Sequence, residues 1–343
     1  MEANNIAIML MWLGELTFSS WLLSYGAEHL AIRFGARFVG RTLLSVATTL
    51  PEIAIVAYAA SDGSYGIALG AGLGSNVLMM TLGLAIMLLI ATTRLSKKPI
   101  KKIEVSSFKL DKIFLVLTAI ISAILFIDGY HFIDGIVFTI LFLVYVFVAF
   151  YEMRLEKKKD REKIIEEYSS PSLIVNLPSN QKQLIKSGII FMIGTIGIFL
   201  GAEPFIQSLE HVSVEIGVSA IILSVVISPI AGEMPEKISL MLLARKGAHG
   251  TSIAIANVLG SKILNNTLLL AFAVFGAMYH SGFSTAIDRT DILSHQMILA
   301  TGVTLIAVGL LFKKEIGLKT GLILLVMYIV SIGLQFFINS QTT

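Results

Sequence analysis

Apolar positions along this chain run on without the interruptions that a soluble helix or strand needs on its wet face. Many of the runs exceed 18 residues, enough for a helix to cross a hydrocarbon core about 30 Å thick. The helix is required because lipid offers the backbone no hydrogen-bond partners. Ten such spans are read, at roughly 6–31, 37–60, 66–93, 113–130, 132–152, 185–208, 214–244, 249–278, 292–312 and 318–338. The pattern predicts an all-α membrane protein of ten transmembrane helices. A charged stretch at 155–184, with Pro171 and Pro178, divides the chain into a first unit at 1–154 and a second at 185–343. That stretch is expected to be a solvated loop with a short helix at its start.

Basic residues orient the spans. Of the 26 lysines and arginines, 23 fall in the loops that follow the odd-numbered spans, and Arg289 stands alone on the other side. The rich side carries Arg33, Arg37 and Arg41, the 94–112 loop, the 154–186 segment, Arg245 with Lys246, and Lys313, Lys314 and Lys319. Positive loops stay cytoplasmic, so both termini are expected outside, most simply at the plasma membrane. The other two basic residues, Lys237 and Lys262, fall inside spans.

The halves repeat. Ile67–Ala85 and Ile253–Ala271 are identical at ten of 19 positions at an offset of 186, including Gly74/Gly260, Ser75/Ser261 and Thr81/Thr267. Upstream, Leu50-Pro51-Glu52 matches Met234-Pro235-Glu236. Five spans per half is an odd number, so the second half starts on the opposite side of the membrane. Inverted repeats of this kind place substrate sites near the midplane, between the halves, on interrupted helices. Pro51, Pro229 and Pro235 are the expected interrupters.

Composition excludes several classes. Hydrophobic residues make up 55% of the chain and charged residues 14%, far from the quarter usual in soluble domains. Cysteine is absent, which removes disulfides, thiolate metal sites and cysteine nucleophiles. The excess positive charge lies in loops between spans, which argues against a nucleic-acid partner. No cleavable leader is read at the start. Gly70-Ala71-Gly72-Leu73-Gly74 lies inside an apolar span, where small residues serve close helix packing rather than phosphate binding. The sequon Asn265-Asn266-Thr267 also lies in a span. No nucleophile–base pair is legible, so an enzyme is not expected, and no cofactor is implied.

Glu52, Glu233 and Glu236 fall within spans, where a charge costs several kcal/mol unless it faces a cavity, finds a partner or takes a proton. Glu52 and Glu236 occupy matched repeat positions, each one residue after a proline, and two-fold symmetry would bring them together. With hydroxyls from Thr48, Thr49, Ser75 and Ser261 they make an oxygen-lined cage of the kind hard cations choose. Glu15 and Glu203 also lie in or near the membrane and receive no role.

These paired motifs resemble those of the sodium/calcium exchanger family, within the cation/calcium antiporter superfamily. That family carries two inverted repeats, each with a segment like G-T-S-x-P-E followed by one like G-S-N-x-x-N or G-S-N-x-x-D. Here the first pair reads Ala47-Thr48-Thr49-Leu50-Pro51-Glu52 and Gly74-Ser75-Asn76-Val77-Leu78-Met79, and the second Ala231-Gly232-Glu233-Met234-Pro235-Glu236 and Gly260-Ser261-Lys262-Ile263-Leu264-Asn265. The resemblance covers most of the chain. It implies a secondary antiporter exchanging Ca²⁺ for Na⁺ or H⁺ by alternating access, with spans 1 and 6 sliding over the other eight. Its implied metal ligands are Glu52 and Glu236, supported by Thr48, Thr49, Ser75, Ser261 and Asn265.

Four departures change the expectation. Met79 stands where a polar ligand is usual, and a thioether is a poor ligand for hard cations. Glu233 replaces a serine. Lys262 replaces an asparagine, and Lys237 directly follows Glu236. Three carboxylates and two ammonium groups leave one negative charge, which suits a proton or a monovalent ion. Two arrangements would restore the charge: Glu233 pairing with Lys237 at i, i+4, or Lys262 pointing away to a membrane boundary. If Lys262 instead enters the cage, each ion must displace it or wait for it to lose a proton, and transport rises as it deprotonates. An antiporter of protons or a monovalent cation with a lysine-neutralised site, and a non-transporting membrane scaffold, remain the alternatives.

Overall fold

The computed structural model describes residues 2–31, 45–167 and 181–342. Arg33, Arg37, Arg41, Pro171, Pro178 and the start of the second expected span lie outside the described residues. The helices are α1 (Glu2–Ala31), α2 (Ser45–Ser61), α3 (Tyr65–Leu78), α4 (Leu84–Thr92), α5 (Lys109–Leu125), α6 (Phe132–Glu167), α7 (Gln181–Ile216), α8 (Ala220–Gly232), α9 (Met234–Ala244), α10 (Ala248–Leu264), α11 (Leu270–Ser281), α12 (Asp291–Leu311) and α13 (Leu318–Thr342). Two strands of two residues each, β1 (Ile103–Glu104) and β2 (Glu315–Ile316), pair antiparallel. Among the described residues the regular structure is otherwise helical.

Among the described residues, eight helical stretches are long and apolar enough to cross a membrane. The second and seventh expected spans are not among them. Helix α2 has 17 described residues, and the seventh stretch is broken into α8 and α9, of 13 and 11 residues. The break has a local cause. Pro235 cannot donate to a helical carbonyl and disfavours helical geometry in the residue before it, and Gly232 adds no side chain to stiffen the turn. Glu233 sits between the two helices at φ −95°, ψ 6°. Pro51, Pro204 and Pro229 are instead carried inside helices. In α2 the Thr48 and Thr49 hydroxyls both lie within hydrogen-bond reach of the Ser45 carbonyl, at 3.2 and 2.6 Å.

Two of the eight stretches lie in the interior, and α2 is buried beside them. Tyr65–Thr92 (α3 and α4) and Gly250–Ser281 (α10 and α11) are 78% and 83% buried, against 28–44% for the other six. Each contains a five-residue π-turn, Met79–Gly83 in one and Asn265–Leu269 in the other. Their outer neighbours present exposed apolar side chains such as Leu200, Phe147 and Ile298, at about 70% exposure, as a lipid-facing surface requires. Close approach inside depends on small residues. A Cβ at Gly74 would lie 1.9 Å from the Val225 carbonyl oxygen, so α3 and α8 touch backbone to backbone there.

Helices α1 and α7 pack along each other. Gly194, Gly197 and Gly201 put one glycine face of α7 against α1, and a Cβ at Gly194 would meet the Leu23 amide at 2.5 Å. Gly201 leaves the room that the Glu15 carboxylate fills, and Glu15 Oε1 accepts from Ser19 Oγ at 2.7 Å. Glu15 is therefore part of this packing, whereas Glu203 is exposed within α7 and accepts from Gln207 Nε2 at 3.3 Å.

Loops gather at two ends. At one, β1 pairs with β2, Lys102 Nζ meets Glu315 Oε2 at 2.6 Å, and the Lys97 amide donates to the Arg245 carbonyl at 3.2 Å. The bond and its charge raise Lys102 above the ordinary lysine value and lower Glu315 below the ordinary carboxylate value. At the other end, Tyr130 and Ile287 exchange backbone hydrogen bonds of 3.1 and 2.9 Å.

Candidate functional site

Polar side chains from both halves converge where α2, α3, α9 and α10 meet the break at Glu233. Glu52, Ser75, Glu233, Glu236, Ser261, Lys262 and Asn265 are all at most 3% exposed. Glu52 comes from the middle of α2 and Ser75 from α3. Glu233 comes from the non-helical residue between α8 and α9. Glu236 lies in the first turn of α9, where the helix dipole favours a carboxylate. Ser261 and Lys262 close α10, and Asn265 opens its π-turn, a distortion frequent at functional positions.

Ser75 is the junction. Its Oγ lies 2.8 Å from Glu52 Oε1, contacts Glu233 Oε1, and accepts from Lys262 Nζ at 2.6 Å. Its single proton has three acceptors in reach, Glu52 Oε1, Glu233 Oε1 and the Asn265 amide oxygen, which compete for it. Lys262 Nζ also donates to Glu233 Oε1 and lies 3.9 Å from Glu236 Oε2. Glu236 is held from two sides, by Ser261 Oγ and Thr48 Oγ1, both at 3.1 Å. The Asn265 amide is best satisfied with its nitrogen towards Glu52. So turned, it donates to Glu52 Oε2 at 3.2 Å and to the Ser261 carbonyl at 3.3 Å, and its oxygen accepts from Ser75 Oγ at 2.6 Å and Lys262 Nζ at 3.0 Å. The chain of contacts Glu52–Asn265–Ser261–Glu236 links the two matched glutamates across the interior.

Gly232 makes room for this. A Cβ there would lie 2.7 Å from Glu52 Cγ, so the threonine found at the matching position, Thr48, could not stand in its place without displacing Glu52. Thr49 belongs to the same helix, but its hydroxyl is turned to the Ser45 carbonyl.

The lysines divide. Lys262 does not reach a membrane boundary: it is fully buried with its ammonium among the site oxygens. Lys237 does not pair with Glu233 as the i, i+4 spacing suggested. The Lys237 amide does donate to the Glu233 carbonyl at 3.0 Å in helical register, but the Glu233 carboxylate turns to Ser75 and Lys262 while the Lys237 ammonium donates to the Pro229 carbonyl at 3.0 Å. Among the described residues no three His, Asp or Glu groups are arranged as a metal cluster; the carboxylates converge on an ammonium group instead.

Two residues beside the site were not singled out as ligands. Asn76 Nδ2 donates to Asn266 Oδ1 at 2.6 Å, and both are buried. The signal was available: Asn76 follows Ser75, and Asn266 follows Asn265, in the two repeated segments.

A family model described as sodium/calcium exchanger protein matches residues 4–151 and 186–337. The uncharacterized membrane protein MJ0091 of Methanocaldococcus jannaschii is 25% identical over 330 residues, 96% of this chain and 95% of that protein. The crystal structure of the H⁺/Ca²⁺ exchanger CAX superposes with a TM-score of 0.78 at 19% identity, covering 98% of this chain and 85% of that one. A structure of the sodium-calcium exchanger NCX_Mj superposes with a TM-score of 0.64 at 24% identity, covering 97% and 99%. At these identities the two structures speak to the fold.

Proposed function

The chain belongs to the sodium/calcium exchanger protein family, and from that premise we propose that it exchanges Ca²⁺ for Na⁺ or H⁺ by alternating access through the buried site. It is an integral multi-pass membrane protein and a secondary cation antiporter of the Ca²⁺-exchanging kind, not an enzyme, and the ions are its substrates. The observation that carries the mechanism is the convergence of Glu52 and Glu236, matched residues of two repeated segments, on one constellation.

In this reading the repeats are inverted, at 1–154 and 185–343, joined by the 155–184 linker. The two segments outside the eight long apolar stretches complete ten spans, and they carry the site glutamates because they are short or broken. The π-turns at Met79–Gly83 and Asn265–Leu269, 186 residues apart like the sequence repeat, support the duplication. Glu52, Glu236 and Glu233, with Ser75, Ser261, Thr48 and Asn265, supply the oxygens that Ca²⁺ takes in sets of six to eight. Thr49 supports Thr48 and the helix turn. Helices α1 and α7, paired through their glycine face, are the part that slides.

The basic loops gathered at one end support a cytoplasmic position for that end, with both termini outside, at the plasma membrane. The chain has no cysteine, so single cysteines report topology directly. A cysteine at position 170 is expected to resist an impermeant reagent applied to intact cells, and labelling from outside refutes this orientation.

One observation favours a second reading, an antiporter of protons or a monovalent cation. Lys262 Nζ already holds a position among the site oxygens. Purified protein in vesicles separates the readings. Uptake of labelled Ca²⁺ driven by an outward Na⁺ or pH gradient is expected, and the gradient that drives it names the counter-ion. Na⁺/H⁺ exchange with no Ca²⁺ uptake under either gradient would establish the second reading.

A further inference from the structure

At the end that gathers the basic loops, the end of α4 and the outer face of α9 enclose an open groove of about 470 Å³. That is within the size range of small-ligand sites, roughly 300–1,000 Å³. Its wall is apolar, formed by Leu95, Ile238, Met241 and Leu242 among others, and its rim carries Arg94 and Arg245. Leu95 and Leu242 are 63% and 47% exposed, so the wall is continuous with the lipid-facing surface. Among the described residues, neither guanidinium has a hydrogen-bond or ion-pair partner. The groove is held in shape by backbone: Ser96 Oγ donates to the Ala244 and Arg245 carbonyls at 3.4 and 3.3 Å, and the Lys97 amide donates to the Arg245 carbonyl.

Two arginines at the edge of an apolar trough pose a joint requirement. A guanidinium fork matches phosphate oxygens better than any other side chain, and two of them leave a doubly positive rim. The trough below wants hydrocarbon. A free anion meets the first demand only, and a neutral lipid chain the second only. Basic pockets between membrane helices on the cytoplasmic side are the usual setting for anionic head groups.

We propose that this groove binds an anionic glycerophospholipid, with its phosphate between Arg94 and Arg245 and an acyl chain along Ile238, Met241 and Leu242. The ligand lies against α9, the helix whose first turn carries Glu236 and whose last residue precedes Arg245.

The test uses the full-length protein in neutral detergent, where no charged membrane surface contributes. Bound phosphatidylglycerol is counted by native mass spectrometry as its concentration rises. The wild type is expected to retain one molecule in preference to phosphatidylcholine. Arg94→Gln and Arg245→Gln are each expected to weaken it about fivefold, the value of one basic charge near an anionic lipid surface. Both arginines are exposed, so melting temperatures should stay at the wild-type value. Lys313→Gln, at the same end but outside the groove, is expected to change nothing. Equal retention by the arginine variants overturns the proposal, and so does an equal loss in Lys313→Gln, which would reveal diffuse attraction. Displacement of the lipid by inorganic phosphate at comparable concentration would show a free-anion site and overturn the lipid assignment.

Discussion

Glu52→Gln and Glu236→Gln are each expected to abolish Ca²⁺ uptake while leaving the protein folded. Glutamine keeps the size of the side chain and an oxygen that can accept from Ser75 in one case and from Ser261 or Thr48 in the other. What it removes is a full negative charge. At about 4 Å and an effective dielectric constant near 20, two unit charges interact with about 4 kcal/mol, and the double charge of Ca²⁺ makes the loss larger still, so affinity should fall by at least about a thousandfold. The measurement is labelled Ca²⁺ uptake into vesicles beside a melting curve of the same preparation. A non-transporting scaffold would tolerate both changes, so normal uptake in either variant defeats the proposed site. The two variants should also behave alike, because their residues hold matched positions. A large loss in only one would separate the glutamates and undo the two-fold reading.

Lys262→Asn is expected to tighten Ca²⁺ binding, which is an unusual outcome for removing a buried, fully bonded side chain. The ammonium touches Ser75 Oγ, Glu233 Oε1 and the Asn265 oxygen, so an entering Ca²⁺ must displace it from its own ligands. Asparagine is what the first repeat carries at the matching position, Asn76, and its oxygen can join the cage. Taking away a unit charge about 4 Å from a divalent ion is worth about 2 kcal/mol in water and about 8 kcal/mol at the lower dielectric. The gain should therefore be at least about thirtyfold. Removing one partner of a buried ion pair is also destabilising, so the ion-free variant should melt earlier than the wild type and recover on adding Ca²⁺. Direct titration of Ca²⁺ binding gives the affinity, and melting curves with and without Ca²⁺ give the linkage. Unchanged affinity would mean that Ca²⁺ does not contend with Lys262 for these oxygens.

Some of this site was legible one residue at a time. Glu52 and Glu236 announced themselves by being charged in apolar spans, and the repeat paired them. Ser75, Ser261 and Asn265 followed from the second matched segment. Sequence gives a hydroxyl's position on a chain but not its direction, and the Thr49 proton goes to the nearby Ser45 carbonyl. The suggested Glu233–Lys237 pair failed for a related reason. The i, i+4 backbone bond is present, but the Glu233 carboxylate is taken by Ser75 and Lys262 and the Lys237 ammonium by the Pro229 carbonyl. Asn76 and Asn266 escaped notice because neutral amides in a span cost less than charges and signal less strongly.

By itself, the sequence determined the all-helical membrane class, the basic end and the duplicated segments, because each rests on composition or short-range pattern imposed by lipid. It also determined which residue types reach the interior. Only the tertiary structure decided that Lys262 faces the glutamates rather than a membrane boundary. The same is true of Gly232 making space for Glu52, and of Arg94 and Arg245 sharing one groove. Ser75 meets Glu233 across 158 residues of chain and Lys262 across 187. Contacts of that range depend on how α2, α3, α9 and α10 pack, and a side chain's direction is fixed by its packed neighbours, which no local pattern encodes.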